Sequence, residues 1–120
     1  MNVLIVESQA HLGAIWKQHM ERNGMIVTLV TGHDEAISHL TDHSPDIIIL
    51  DLVLPDGNAL AISDFASFRH PDARVIFVTN TSFFSDGSIF AHANNACAYV
   101  QSATPPEDLT AMVAHYAVAH

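Results

Sequence analysis

Two runs of residues constrain this chain more than anything else in it. Val3-Leu4-Ile5-Val6 and Ile47-Ile48-Ile49-Leu50 are continuously apolar, and each is followed at once by an acid, Glu7 or Asp51. A strand with one wet face alternates apolar and polar residues, whereas an unbroken run rich in β-branched residues belongs to a strand covered on both faces, as in a parallel sheet between helices. Val75-Ile76-Phe77-Val78 repeats that character ahead of Thr79. Ile26-Val27-Thr28-Leu29-Val30 and Cys97-Ala98-Tyr99-Val100 complete a predicted set of five strands.

Helical periodicity fills the gaps. Leu12, Ile15, Trp16, His19 and Met20 recur at steps of three and four, and Gly24 supplies a stop near Asn23. Ala36, Ile37 and Leu40 mark a second helix that closes before Pro45, and a third runs from about Ala59 to Phe68 with Leu60, Ile62, Phe65 and Phe68 as its apolar residues. Before the last helix Thr104 can cap, Pro105 suits the first helical position and Glu107 completes a capping box, with Leu109, Met112, Val113 and Tyr116 as the stripe. Gly87 and two asparagines weaken any helix between Ser85 and Asn94. Strands alternating with helices require crossover connections, so the expected fold is α/β: a doubly wound, five-stranded parallel sheet in one domain spanning residues 1–120.

Composition narrows the function. Hydrophobic residues make up 49% and charged residues 14%, which suits a packed core and not a disordered segment. Lys17, Arg22, Arg69 and Arg74 face 13 acids, and a net charge of -9 disfavours direct nucleic-acid binding, which needs clustered cations. Cys97 has no partner for a disulfide and reads as a small buried residue. The apolar run at the start is too short for a signal peptide or a membrane span, so the cytoplasm is the expected compartment.

In an open parallel sheet, ligands bind beyond the carboxyl ends of the strands at the point where strand order reverses. That rule selects Glu7 and Ser8 after the first strand, Asp51 after the third, Thr79 and Asn80 after the fourth and Ser102 after the fifth. Polar residues at strand ends also serve simply to satisfy loop backbone. The convergence of two carboxylates and several hydroxyls is what favours a site.

At these positions the chain resembles the response-regulator receiver domains of two-component signal transduction. The resemblance rests on Leu4-Ile5-Val6-Glu7, the block from Pro45 to Gly57 with its Asp51-Leu52-Val53-Leu54-Pro55-Asp56-Gly57, the pair Val78-Thr79, and Ala98-Tyr99-Val100. It implies a flavodoxin-like (βα)5 fold and a phosphorelay role without enzymatic turnover of its own. It also implies Asp51 as phosphoacceptor, Thr79 as the phosphoryl contact and Tyr99 as the switch aromatic. Magnesium would be held by Glu7, Asp51 and the Val53 carbonyl, all hard oxygen ligands. The implied partners are a histidine kinase or phosphotransfer protein, a downstream protein, and a second copy of the chain. Either the chain is a single-domain module or an output domain lies outside it.

The departures from that pattern are specific. Ser8 replaces the second acid after the first strand, a weak substitute as a metal ligand, and Ser102-Ala103 replaces a lysine and proline. Beyond Lys17 there is no lysine at all, Asn80 stands where a small residue is usual, and Asn95-Ala96-Cys97 replaces Gly-Ala-Asp, altering the rear of the pocket. Glu7 and Asp51 without a lysine still sum to -2, the same formal charge as three acids with one. Losing part of the electrostatic stabilisation costs roughly 3 kcal/mol or more, so weak, metal-dependent phosphorylation or none is expected.

Two readings therefore compete: a phosphoprotein switch at Asp51, and a pseudo-receiver that works as a protein-interaction module without phosphorylation. Phe83, Phe84, Ile89 and Phe90 offer either a contact surface or core packing. Among the nine histidines, His39 and His43 stand four apart, a spacing that can chelate zinc or nickel; with no third ligand at motif spacing they read first as a solvated histidine face. A nucleotide-binding flavodoxin-like protein is disfavoured, because Ser8-Gln9-Ala10-His11 is no Gly-rich phosphate loop.

Overall fold

The structure, a computed structural model, describes residues 1–55, 59–79 and 95–118. Five parallel strands form one sheet: β1 (Asn2–Val6), β2 (Ile26–Val30), β3 (Ile47–Asp51), β4 (Arg74–Thr79) and β5 (Ala96–Gln101), in the order β2-β1-β3-β4-β5. Four helices are described: α1 (Ala10–Arg22), α2 (His33–Asp42), α3 (Ala59–Arg69) and α4 (Pro106–Val118). The α/β doubly wound sheet expected from the runs is present.

The runs are unbroken because both of their faces are covered. Leu4, Val6, Ile48 and Leu50 point to one side and meet Ala36 and Leu40 of α2 and Ile62 and Ala66 of α3. Val3, Ile5, Ile47 and Ile49 point to the other and meet Trp16 and Met20 of α1 and Leu109 and Val113 of α4. Every side chain from Ile47 to Leu50 is fully buried, and at about 25 cal/mol per Å² of apolar surface these strands dominate the driving force for folding.

Helix boundaries follow local chemistry. α1 ends at Arg22 with Asn23 as its C-cap, and Gly24 beyond it adopts φ 84°. The Gly24 amide bonds the Glu21 carbonyl at 3.0 Å and the Met25 amide bonds the Met20 carbonyl at 3.2 Å, the paired closure of a Schellman motif. The C-terminus of α2 is closed from its neighbour, since Arg69 donates to the Thr41 carbonyl at 2.7 Å and His70 Nε2 to the Leu40 carbonyl at 2.6 Å. A carbonyl only accepts, so Nε2 carries the proton and Nδ1 is left to accept from the Ser44 hydroxyl at 3.0 Å.

Several expectations need correction. Ile15 is 40% exposed and Phe68 84% exposed, so neither belongs to its helix's buried stripe; α3 buries Ala59, Ile62, Ser63 and Ala66 instead. α4 begins at Pro106, not Pro105, because the Pro105 carbonyl accepts the first intrahelical bond, from the Leu109 amide at 3.1 Å. His19 is not merely part of an apolar stripe, since its Nδ1 lies 3.0 Å from Thr110 Oγ1 across the α1–α4 seam. The Thr110 hydroxyl already donates to the Pro106 carbonyl, so Nδ1–H is the donor to Thr110.

Asn95 and Cys97 do not lie at the rear of the site. They sit at the opposite end of the sheet, where Val75 pairs with Ala96 and Ile76 with Ala98, leaving Cys97 as the extra residue of a β-bulge in the edge strand. Cys97 is half-buried, and burial pushes its thiol above the usual range despite the nearby Arg74 guanidinium. Asn95 accepts the Ser63 hydroxyl at 2.8 Å and returns its amide to the Ser63 carbonyl at 3.1 Å, which ties α3 to the entry of β5. The expectations for Asn80, Phe83, Phe84, Ile89, Phe90 and the segment 85–94 lie outside the described residues.

Candidate functional site at the carboxyl ends of β1 and β3

Strand order reverses between β1 and β3, since the chain leaves β1 for β2 on one side and returns to β3 on the other. Their carboxyl ends diverge there into a small depression of about 80 Å³, walled by Glu7, Ser8 and Gln9 from the β1–α1 turn, Asp51 and Val53 from the end of β3, and Ser102 after β5. Glu7 is 3% and Asp51 8% exposed, so two carboxyl groups are held largely out of water side by side.

Asp51 is fixed by neutral donors. Ser8 Oγ donates to Oδ2 at 3.0 Å, the Ser8 amide reaches the same oxygen at 3.5 Å, and the Val53 amide donates to Oδ1 at 2.9 Å. Glu7 accepts the Gln9 amide on Oε2 at 3.1 Å, just ahead of the positive end of α1. That contact favours the ionised form but does not prevail. Burial pushes the Glu7 carboxyl up to about 7 from the usual 4.5, aided by a hydrogen bond to Asp51 and by its charge. The Glu7 carboxyl thus titrates close to neutral pH instead of in the ordinary carboxylate range.

Thr79 ends β4 one strand away and is buried, with its carbonyl accepting the Ser102 amide at 2.7 Å. Tyr99 lies in the middle of β5 opposite Phe77, half-buried against the core on the α2 and α3 side. The only lysine, Lys17, is on α1 with its Nζ 3.6 Å from Glu21, and no cation is among the described residues that line the depression. Sequence reasoning missed two contributors. The backbone amide of Gln9 carries no residue-type signal, and Gly13 packs α1 close to the site: a Cβ there would lie 2.6 Å from Leu29 Cδ1, which would have to shift, and 3.4 Å from Glu7 Cβ. A glycine inside a helical pattern was the available clue.

The donor set suits a hard divalent cation in part. Glu7, Asp51 and the Val53 carbonyl are oxygen ligands of the right kind, while Ser8, at the remaining position, is already engaged with Asp51. The described residues hold no group of three His, Cys, Asp or Glu able to close a metal sphere by themselves.

Comparison with known proteins bears on this arrangement. The family model for the response regulator receiver domain matches residues 3–114. The chain belongs to that family. This receiver domain is 31% identical over 115 residues to the transcriptional regulatory protein RstA of Escherichia coli, a match covering 92% of the chain and 46% of RstA. It is 32% identical over 75 residues to the luminescence regulatory protein LuxO of Vibrio campbellii, covering 62% of the chain and 17% of LuxO. The receiver domain thus spans less than half the length of these relatives. In three dimensions it is similar to a CheY-like receiver domain protein of Methanospirillum hungatei, with a TM-score of 0.88, 22% identity, and coverage of 97% of this chain and 92% of the other. None of the described helices is long and apolar enough to cross a membrane.

Proposed function

We propose that this receiver domain, a module of two-component signal transduction, accepts a phosphoryl group on Asp51 from a histidine kinase or phosphotransfer protein in the cytoplasm, with the domain occupying residues 1–120. The observation that carries the reading is the placement of Asp51, at the end of β3 and lining the depression beside Glu7. One Asp51 oxygen bonds phosphorus as the donor's P–N bond breaks, giving an acyl phosphate. The Val53 amide on Oδ1 and the Ser8 hydroxyl on Oδ2 orient the carboxylate for that attack. Glu7, Asp51 and the Val53 carbonyl would hold magnesium, with Ser8 as a weak fourth contributor; when bound, the ion neutralises charge on the transferring group. In this reading Thr79 contacts the phosphoryl oxygens and Tyr99 reports the change to a downstream protein or a second copy.

A second reading has its own observation. Both Asp51 oxygens are occupied by neutral donors, and no described cation lines the site to offset an incoming phosphoryl group. This favours a pseudo-receiver that engages a protein partner without phosphorylation. Incubation with acetyl phosphate and magnesium followed by intact-mass measurement separates the two. An adduct of about 80 Da that is lost in Asp51→Asn supports the switch, and its absence at high donor concentration supports the pseudo-receiver.

A further inference from the structure

At the far end of the sheet from Asp51, two histidines are arranged differently from the others described. His39 stands in the last turn of α2, and His43 ends that helix with an extended backbone, φ -135° and ψ 154°. Their imidazoles nevertheless stack, with centroids 4.4 Å apart and planes 10° from parallel. His19 and His70 have ring nitrogens engaged by Thr110, Ser44 and Leu40, so those rings are structural. Among the described residues, the nitrogens of His39 and His43 make no hydrogen bond.

The charges nearby are mixed. The Arg69 guanidinium bonds the Thr41 carbonyl and offsets the negative end of the α2 dipole, whereas exposed Asp42, between the two histidines in sequence, supplies a carboxylate. Both rings and Asp42 border an open depression of about 430 Å³ whose other walls include the oxygen-bearing Asn2, Thr28 and Ser44, and no lysine or arginine is among its lining residues. His43 is exposed and His39 half-buried, so solutes reach both.

We propose that His39 and His43 bind a first-row divalent transition ion of the zinc or nickel class at the carboxyl end of α2, with water completing its coordination and Asp42 supplying charge. Imidazole nitrogen selects such ions over magnesium, which sets this site apart chemically from the oxygen ligands around Asp51. An ion bonded at about 2.0–2.1 Å to two nitrogens at the tetrahedral angle holds them about 3.3 Å apart, and because rings 10° from parallel direct their in-plane lone pairs alike, one imidazole must turn out of the stack for both to bind. His43, exposed and one residue beyond α2, is the ring free to turn. With two protein ligands only, the site loads and empties with the free-ion concentration, unlike a structural zinc centre.

The test uses the full, untagged 120-residue chain carrying Asp51→Asn, which removes a carboxylate from the other site. At pH 7.5, zinc at a hundredfold excess over its dissociation constant raises the melting temperature by roughly 10 °C, and magnesium at the same concentration does not. His39→Gln and His43→Asn each abolish most of the rise, while His115→Gln on α4 leaves it intact. No rise in the Asp51→Asn chain, or a rise that survives both substitutions, overturns the proposal.

Discussion

The Ser8 hydroxyl donates to Asp51 Oδ2 across 3.0 Å, so a neutral side chain holds the carboxylate at the position where related domains place another acid. The bond supplies orientation but adds no negative charge for a metal. Replacing Ser8 by Asp adds that charge beside Glu7 and Asp51. On the proposed function, Ser8→Asp binds magnesium at least roughly tenfold more tightly, about 1.4 kcal/mol, and is less stable than the parent without metal because three carboxylates then repel. Magnesium titration by calorimetry checks both, and an unchanged affinity counts against the assignment of this cleft as a metal site.

Glu7 makes stability depend on pH in a defined direction. Its folded pKa of about 7 lies above the ordinary 4.5, so the folded chain holds this proton more tightly than the unfolded one. Between these values the native state binds more protons, and linkage requires stability to fall as pH rises from about 4.5 to 7. The loss attributable to Glu7 is on the order of 3 kcal/mol. Urea unfolding of the parent and Glu7→Gln at pH 5 and pH 7.5 measures it: the parent loses more stability than the variant across that interval.

The reciprocal pair of Ser63 and Asn95 joins α3 to the start of β5, and Ser63 is 1% exposed. Ser63→Ala removes the hydroxyl and leaves the half-buried Asn95 amide oxygen without that donor. The expected cost is about 1–3 kcal/mol. A double-mutant cycle with Asn95→Ala should show coupling, because the second substitution costs less once the first has been made.

Gly24 tests a backbone effect free of packing. Its φ of 84° suits glycine, yet no atom lies within 4 Å of where a Cβ would stand. Gly24→Ala should therefore destabilise by about 1 kcal/mol through conformation alone, and Gly24→Asn by less. Chemical denaturation with an unchanged m-value is the measurement.

The sheet was legible because covering a strand on both faces leaves a one-dimensional trace: the runs at residues 3–6 and 47–50 are apolar throughout and end in acids. Once the sheet is parallel, the rule that sites form at its carboxyl ends selects Glu7, Ser8, Asp51, Thr79, Asn80 and Ser102; Glu7, Ser8, Asp51 and Ser102 line one depression, Thr79 is not among its lining residues, and Asn80 lies outside the described residues. Burial on helices was less legible. Ile15 and Phe68 fit a helical stripe by spacing but face outward, since which apolar residues are covered depends on the neighbouring elements.

The chain's order of residues thus determined the secondary elements, the parallel sheet and the end of it where polar groups gather, because periodicity and strand polarity are local properties. Only the tertiary structure decided that Ser8 bonds Asp51, that burial raises the Glu7 carboxyl to about 7, that Asn95 serves α3 instead of the cleft, and that His43 folds back onto His39. Those are distances between atoms on different elements or turns, and burial and hydrogen-bond geometry come into being only when the elements pack.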